Sequence, residues 1–343
     1  MGQGLAGSAL AWELAQRGKT LRAYDVPAEN KASSVAAGLY NPVTGHVMNQ
    51  TWKADQLFPF LDSFYGRAEE VLQRKLMHRI PVYRPFVSVE ERKAWELRLP
   101  TSPLRNKLRV TSEIFSDQVR NPYGGIEILN SGFLDVKAWL GAVREYLTRH
   151  GFYASEKFEE RELLVNSPLQ YKEYVADKII FCDGCASLNT RWFGWLPIRP
   201  LKGETLEVRV DSKLERLFNR GVYIVPTSEK SVYKVGSTYE HPPFEEGPTT
   251  EGREELVGKL GQLLNVATEI VHQGWGIRPA TTDRRPILGS HPANKNLVAF
   301  NGLGTKGVSL SPYFADHLAD WLEGKGDLSA EVNIYRFKAL YSE

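Results

Sequence analysis

The sequence predicts an α/β fold interrupted by a mainly antiparallel β-sheet, and three observations predict it. A glycine-rich turn, Gly2-Gln3-Gly4-Leu5-Ala6-Gly7, opens onto a helical apolar pattern. Two later apolar stretches, Lys178 to Phe181 and Leu297 to Phe300, each run into a further glycine turn, at Gly184 and at Gly302 to Gly307. Between these turns lie short alternating runs with hairpin-type turn residues, which belong to a different kind of sheet.

In the first element Leu5, Leu10, Trp12, Leu14 and Ala15 form an apolar helix side, Arg17 falls in the last turn and Gly18 is the expected stop. Asp25 closes the apolar stretch Thr20 to Tyr24. In a dinucleotide site the first glycine makes the tight turn, the second admits the pyrophosphate to the backbone, and the third lets the helix pack on a strand. The phosphates then rest on the helix N-terminus, and Asp25 stands where a carboxylate accepts from the adenosine ribose hydroxyls. Such a turn follows a buried strand, yet here Met1 stands directly before Gly2. Two readings fit: a glycine-rich terminal turn, or a dinucleotide site whose first strand, about half a dozen residues, lies upstream of Met1. On the second reading residues 1–343 are an incomplete version of the functional chain, and the central slot of the sheet is left gapped unless another segment fills it.

Composition bounds the class. The chain has 343 residues, enough for two domains or one two-part fold. Its 42% hydrophobic and 24% charged content is that of a globular enzyme. No apolar run approaches the roughly 20 residues of a spanning helix, and no signal-peptide pattern is present, so a cytoplasmic location is expected. The 43 basic and 41 acidic residues leave a net charge of +2, which gives no support for broad nucleic-acid binding. Cys182 and Cys185 form a Cys-x-x-Cys that fits a redox pair, half a zinc site, or two reduced cysteines around a glycine turn. No second cysteine pair or nearby histidine completes a ligand set, so no metal is expected.

Along the chain, the small-residue stretch Asn30 to Ala37, running into Gly38-Leu39-Tyr40-Asn41-Pro42, reads either as a place where a flat ligand meets the backbone or as a surface loop. Trp52 to Ile80 has helical spacing at Leu57, Leu61, Phe64, Ala68, Val71 and Leu72, with Pro59 marking its start or a kink. Residues 81–130 read as mixed, with β-like pieces at Val82 to Val89 and Gly125 to Leu129. Asp135 caps a clear helix with a stripe of Val136, Trp139, Leu140, Val143 and Leu147, ending at Gly151. Thr205 to Val210, Gly221 to Pro226 and Val232 to Ser237 read as antiparallel strands, followed by a helix carrying Leu256, Leu260, Leu263 and Leu264. The last helix runs through Trp321 with Pro312 in its first turn.

These motifs, in this order and over nearly the whole chain, resemble those of the FAD-dependent D-amino-acid-oxidase superfamily. Its members include glycine oxidase, sarcosine oxidase and the flavin domain of a bifunctional tRNA wobble-uridine modification enzyme. The resemblance implies a Rossmann-like FAD-binding domain of the GR2 type from residues 1–80, 131–195 and 270–343, and a mainly antiparallel substrate domain from 81–130 and 196–269. It implies that Gly2, Gly4, Leu5, Ala6 and Gly7 bind the pyrophosphate of FAD, Asp25 the ribose, and Ser34, Ala37 and Gly38 the surroundings of the flavin ring. Gly184 matches the strand-end turn near the adenine side. Pro200 to Glu204 matches a Pro-x-x-Gly-Gln element, with Glu204 in place of the family's Gln. Gly302, Gly304, Thr305, Lys306, Gly307 and Val308 match the turn over the flavin pyrimidine edge, where relatives often carry Gly-His and this chain has Gly302-Leu303. No cysteine falls in that turn, so the FAD is expected to be non-covalent. Lys306 is a candidate source of positive charge there.

By the same resemblance Arg278, in Gly276-Ile277-Arg278-Pro279, holds the substrate carboxylate, a task that suits a guanidinium fork. A structural arginine paired with Asp283 is the alternative. Tyr223 faces the substrate or is an ordinary strand aromatic. The implied reaction is oxidation of the C–N bond of an amino acid or N-substituted amino acid, with dioxygen as the expected acceptor. The alternatives are a flavin domain acting on modified tRNA, which the balanced charge disfavours, and a flavin-free binding module. The substrate and the oligomeric state stay open.

Overall fold

A computed structural model describes residues 1–343 apart from Glu29, His46, Ser167, Ser212 and Glu343. Helix α1, Leu5–Gln16, is buried over most of its circumference, because Ala9, Leu10 and Trp12 face the core while Ser8 and Glu13 are also covered. After the four-residue α2, Ala32–Val35, comes α3, Ala54–Leu72, shorter than the expected Trp52 to Ile80. Pro59 sits inside α3, and residues 77–78 form a strand. The region read as β-like at Val82 to Val89 is corrected: the strand is Val82–Pro85, and Val89 starts a helix, α4, Val89–Arg98. Ser88 Oγ accepts from Glu91 N at 3.2 Å while Glu91 Oε2 accepts from Val87 N at 2.9 Å, so a variant of the capping box, its return bond falling one residue before the N-cap, fixes its start.

Helix α5, Val136–Arg149, begins as expected, with Asp135 Oδ1 accepting from Ala138 N at 2.9 Å. Helix α6, Thr250–Leu263, is capped by Thr249 and packs on the sheet through Leu256, Leu260 and Leu263. Helix α7, Gly307–Leu322, carries Pro312 at its sixth residue, in the second turn rather than the first. Helices α1, α3, α5 and α7 share one core around Trp12, Trp139, Phe64 and Tyr65, whose rings meet edge to face.

The largest sheet has eight strands and draws on both expected substrate segments. Its longest pair is Ile198–Arg209 against Glu269–Thr281, antiparallel over the whole length with one irregularity at Glu207/Val208. Opposed residues share a face, so Leu201, Gly203, Thr205, Tyr223, Gly276 and Arg278 line the front, toward α2. Lys202, Glu204, Leu206, Ile224 and Val235 line the back, toward α6.

The Rossmann-like part divides into two pieces. Ala23–Tyr24 pairs in parallel with Tyr153–Ala154, and Ile179–Phe181 pairs in parallel with Asn294–Asn301. Among the described residues, only Met1 and Gly2 link them in the central slot: the N-terminal ammonium donates to Ile180 O at 2.8 Å, Cys182 N donates to Met1 O at 2.8 Å, and Gly2 N donates to Tyr24 O at 2.9 Å. No other described segment fills the slot. No helix among the described residues is long and apolar enough to cross a membrane.

At the end of α1, Arg17 joins α1 to α7. Its guanidinium bonds Glu13 at 2.8 Å, Asp316 at 2.5 Å, Asp320 at 2.7 Å and Glu323 at 2.9 Å. Arg17→Ala leaves these carboxylates facing one another, so urea unfolding is expected to show a loss of about 1–3 kcal/mol. The deficit should shrink in high salt, which screens the exposed members of the group.

Candidate functional site

The first glycine turn leads straight into α1. Gly4 is the N-cap and has no side-chain oxygen to offer, and the first-turn N–H groups of a helix have no intrahelical acceptor. Leu5 N donates to Ser33 Oγ at 3.0 Å, which places α2 beside the turn. A Cβ added at Gly7 would lie inside the Gly2 carbonyl and against Cys182 Cβ, so only glycine permits this packing of helix on turn. A capless helix N-terminus flanked by a hydroxyl fits the pyrophosphate of a dinucleotide. Leu5 and Ala6 are buried behind it.

Asp25 is buried; its Oδ1 accepts from Gln3 N at 3.0 Å and from Lys31 Nζ at 2.7 Å. Ser34 is exposed and donates to Ala28 O at 3.0 Å, so it is Ser33, passed over in the sequence, that touches the turn. Ala37 packs on the front core, and Gly38 O accepts from Leu134 N at 3.0 Å.

Gly184 opens a short 3₁₀ turn, Gly184–Asn189, and accepts from Asn301 Nδ2 at 2.9 Å. Cys182 and Cys185 are both free, and burial pushes both thiols up to about 12. Gly304 N donates to Pro279 O at 3.0 Å, Cys185 Sγ approaches Ile277 O at 3.8 Å, and Lys31 forms a bridge with Ile277. All three loops thus converge on the same stretch of strand, on either side of Arg278.

In the last turn Gly302 is buried, Gly304 half-buried and Thr305 exposed. Lys306 is the N-cap of α7, and its Nζ donates to Thr44 Oγ1 at 3.1 Å and Thr51 Oγ1 at 3.2 Å. Burial, then the nearby Arg284 and Arg285 guanidinium groups, push its pKa down to about 8. Gly307 is bare where a Cβ would stand 2.7 Å from Leu5 Cδ1, so the N-termini of α1 and α7 sit side by side. Val308 is buried and accepts from Tyr65 Oη at 3.4 Å.

The sheet front holds the other candidates. Arg278 Nη2 donates to Ser237 Oγ at 2.8 Å and Nη1 to Thr238 O at 3.4 Å. Its pairing with Asp283, the alternative raised above, does not occur: Asp283 accepts from Arg336 Nε at 2.8 Å. Tyr223 shares the Arg278 face and hydrogen-bonds Ser237; burial, opposed by Arg278, holds its phenol above the ordinary range. Thr238 and Tyr239 had no sequence signal, and Ser237, read as the end of a strand, lies just past it: the strand is Val232–Gly236 and the three residues follow it as an irregular strip.

Behind this face the buried Glu204 carboxylate accepts from Thr249 N at 3.0 Å, Thr249 Oγ1 at 2.7 Å and Gln273 Nε2 at 2.7 Å, and meets Lys202 Nζ at 3.2 Å. Burial alone would raise this carboxyl; the bonds from Thr249, Gln273 and Lys202 outweigh it and hold the group below its usual range. Lys202 Nζ also stands 3.2 Å from Glu240.

A family model for FAD-dependent oxidoreductases matches residues 1–321. The chain belongs to the FAD-dependent oxidoreductase family. This oxidoreductase is 36% identical over 154 residues, 42% of its length, to the bifunctional protein ThiO/ThiG of Trichormus variabilis, of which the match spans 23%. It is 33% identical over 129 residues, 36% of its length, to glycine oxidase of Bacillus licheniformis, of which the match spans 35%. The matches therefore cover well under two thirds of either relative. Over 98% of its length it superposes on 97% of the iminodiacetate oxidase of Chelativorans sp. BNC1, with a TM-score of 0.78 at 21% identity, so the two share a fold.

Two expectations test the site. Gly7→Ala should abolish FAD retention through purification, read as loss of flavin absorbance, because the added methyl displaces the turn. For Lys306, whose proton is held less tightly folded than unfolded, the unfolded state binds more protons between about pH 8 and the ordinary lysine range. Stability should therefore rise with pH across that window, and the rise should be missing from urea titrations of Lys306→Met.

Proposed function

We propose that the oxidoreductase oxidises the C–N bond of a small amino acid or N-substituted amino acid. The supporting observation is Arg278, a guanidinium fixed on the sheet front by Ser237 and Thr238, beside Tyr223 and within the strand on which the segment before α2 and the Gly184 and Gly304 turns converge. FAD, when bound, supplies the electron-pair acceptor. The residues that would hold it are Gly2, Gly4, Leu5, Ala6, Gly7 and Asp25 at one end, Ala37, Gly38 and Gly184 along its length, and Gly302 to Val308 at the other.

On this reading Arg278 binds the substrate carboxylate bidentately and fixes the α-carbon. Tyr223, kept un-ionised by burial, offers an O–H donor at any ordinary pH. Lys306 keeps a positive charge near neutral pH at the α7 N-terminus, where the helix dipole also favours negative charge. The substrate loses two electrons and two protons to become an imine, which water hydrolyses to a carbonyl product and an amine. Dioxygen takes up the electrons and protons as hydrogen peroxide. This chain's part is orientation; the reaction requires no side chain as base.

Purified protein should be yellow and release its FAD on denaturation. Peroxide release should be detected with glycine, sarcosine or iminodiacetate among a panel of amino acids. Arg278→Ala should lower kcat/KM for the best of them by about 10²–10³-fold, corresponding to a charge-paired contact of roughly 3–4 kcal/mol. An unchanged KM and kcat/KM in that variant would remove the carboxylate role.

A further inference from the structure

Arg278 is gripped on more than its edges. A Cβ at Gly203 would overlap its Cζ, Nη1 and Nη2, so the guanidinium lies flat on the Gly203 backbone. The Arg278 Cζ also stands over the Tyr239 ring, 4.9 Å from its centroid. Tyr239 is 63% exposed, so packing in the core does not hold its ring in place. Its backbone is fixed on both sides: Thr238 N donates to Glu204 O at 3.2 Å and Glu204 N to Thr238 Oγ1 at 2.8 Å, while Lys202 and Glu240 exchange backbone bonds at 3.0 and 3.1 Å.

We propose that Tyr239 is a positioning residue that, with Gly203, clamps the Arg278 guanidinium between two plates, leaving a substrate carboxylate only an in-plane approach. The inference rests on the carboxylate role proposed for Arg278. With one face on backbone and the other under a ring, an anion cannot settle over the guanidinium plane. Two of its N–H groups are already directed at Ser237 and Thr238. A carboxylate must therefore meet the donors that remain, edge to edge, in one orientation. That orientation fixes which C–H bond of the α-carbon is presented, so the clamp acts on binding geometry and the chemical step follows from it.

The test uses FAD-loaded enzyme and acetate as a non-reacting carboxylate, its binding read by the flavin difference spectrum and by calorimetry. Tyr239→Ala should weaken acetate binding by about 5–10-fold, in line with a cation–π contact. It should raise KM by a similar factor with kcat changed less than about threefold, and leave the urea midpoint where it was. Tyr239→Phe, which keeps the ring, should restore the affinity. Gly203→Ala should weaken acetate at least as much, since it lifts the guanidinium from its bed. Acetate binding within twofold of wild type in Tyr239→Ala, or a lowered urea midpoint with binding unchanged, overturns the clamp while leaving the role of Arg278 standing. Wild-type enzyme that binds no acetate overturns the carboxylate role, and the clamp falls with it.

Discussion

The constraint on which the site depends is the close approach of three separate loops to one stretch of backbone, the C-terminal part of the strand Glu269–Thr281. The small-residue segment before α2 bridges Ile277, the Gly184 turn lies against Ile277 and Pro279, and the Gly304 turn bonds Pro279. Gly276 makes room for this, because a Cβ there would stand 3.1 Å from Ala32 Cα. The Gly184 and Gly304 turns each follow an apolar strand, so the strand Glu269–Thr281 is where the Rossmann-like half and the antiparallel half become one surface. Arg278 projects from the middle of that junction, and its position follows from the convergence.

The two glycine-started helices obey the same logic. Gly7 lets α1 sit on its own turn, and Gly307 lets Leu5 reach the start of α7, so two positive helix ends face the same region. At the far end Arg17 ties the pair together through carboxylates on both helices. The spacing of α1 and α7 is thus set by bare backbone at one end and by a charge cluster at the other.

Much of this was legible in the sequence, because glycine turns and caps are local. The turn at Gly2 to Gly7, the Asp135 cap and the turn at Gly302 to Gly307 stand where their residue types require them. Helix α4 was missed for a physical reason: only Trp95 of its ten residues is buried, so it has almost no apolar stripe, although Ser88 and Glu91 spell a capping box. The strand expected at Thr205 to Val210 is longer, Ile198–Arg209, because its pairing with Glu269–Thr281 runs on past Pro200, which lies opposite Pro279 within the ladder. The bond from Leu5 N to Ser33 Oγ was beyond any pattern, since which hydroxyl of this segment meets the first glycine turn depends on how α2 is seated. Tyr239 and Thr51 come from irregular strips and Thr44 from a two-residue strand, Val43–Thr44, and the only cue to any of them is three-dimensional.

The strand Ile198–Arg209 divides its labour residue by residue. Leu201 and Gly203 face Arg278, while Lys202 and Glu204 form a buried ion pair against α6. Where the family's element has Gln, the carboxylate of Glu204 balances the Lys202 ammonium, and each makes the other tolerable in a dry place. Neighbouring positions on this strand therefore answer to different surroundings: a change at Leu201 or Gly203 is felt by Arg278 on the front, whereas a change at Lys202 or Glu204 leaves the other member of the pair as an uncompensated buried charge.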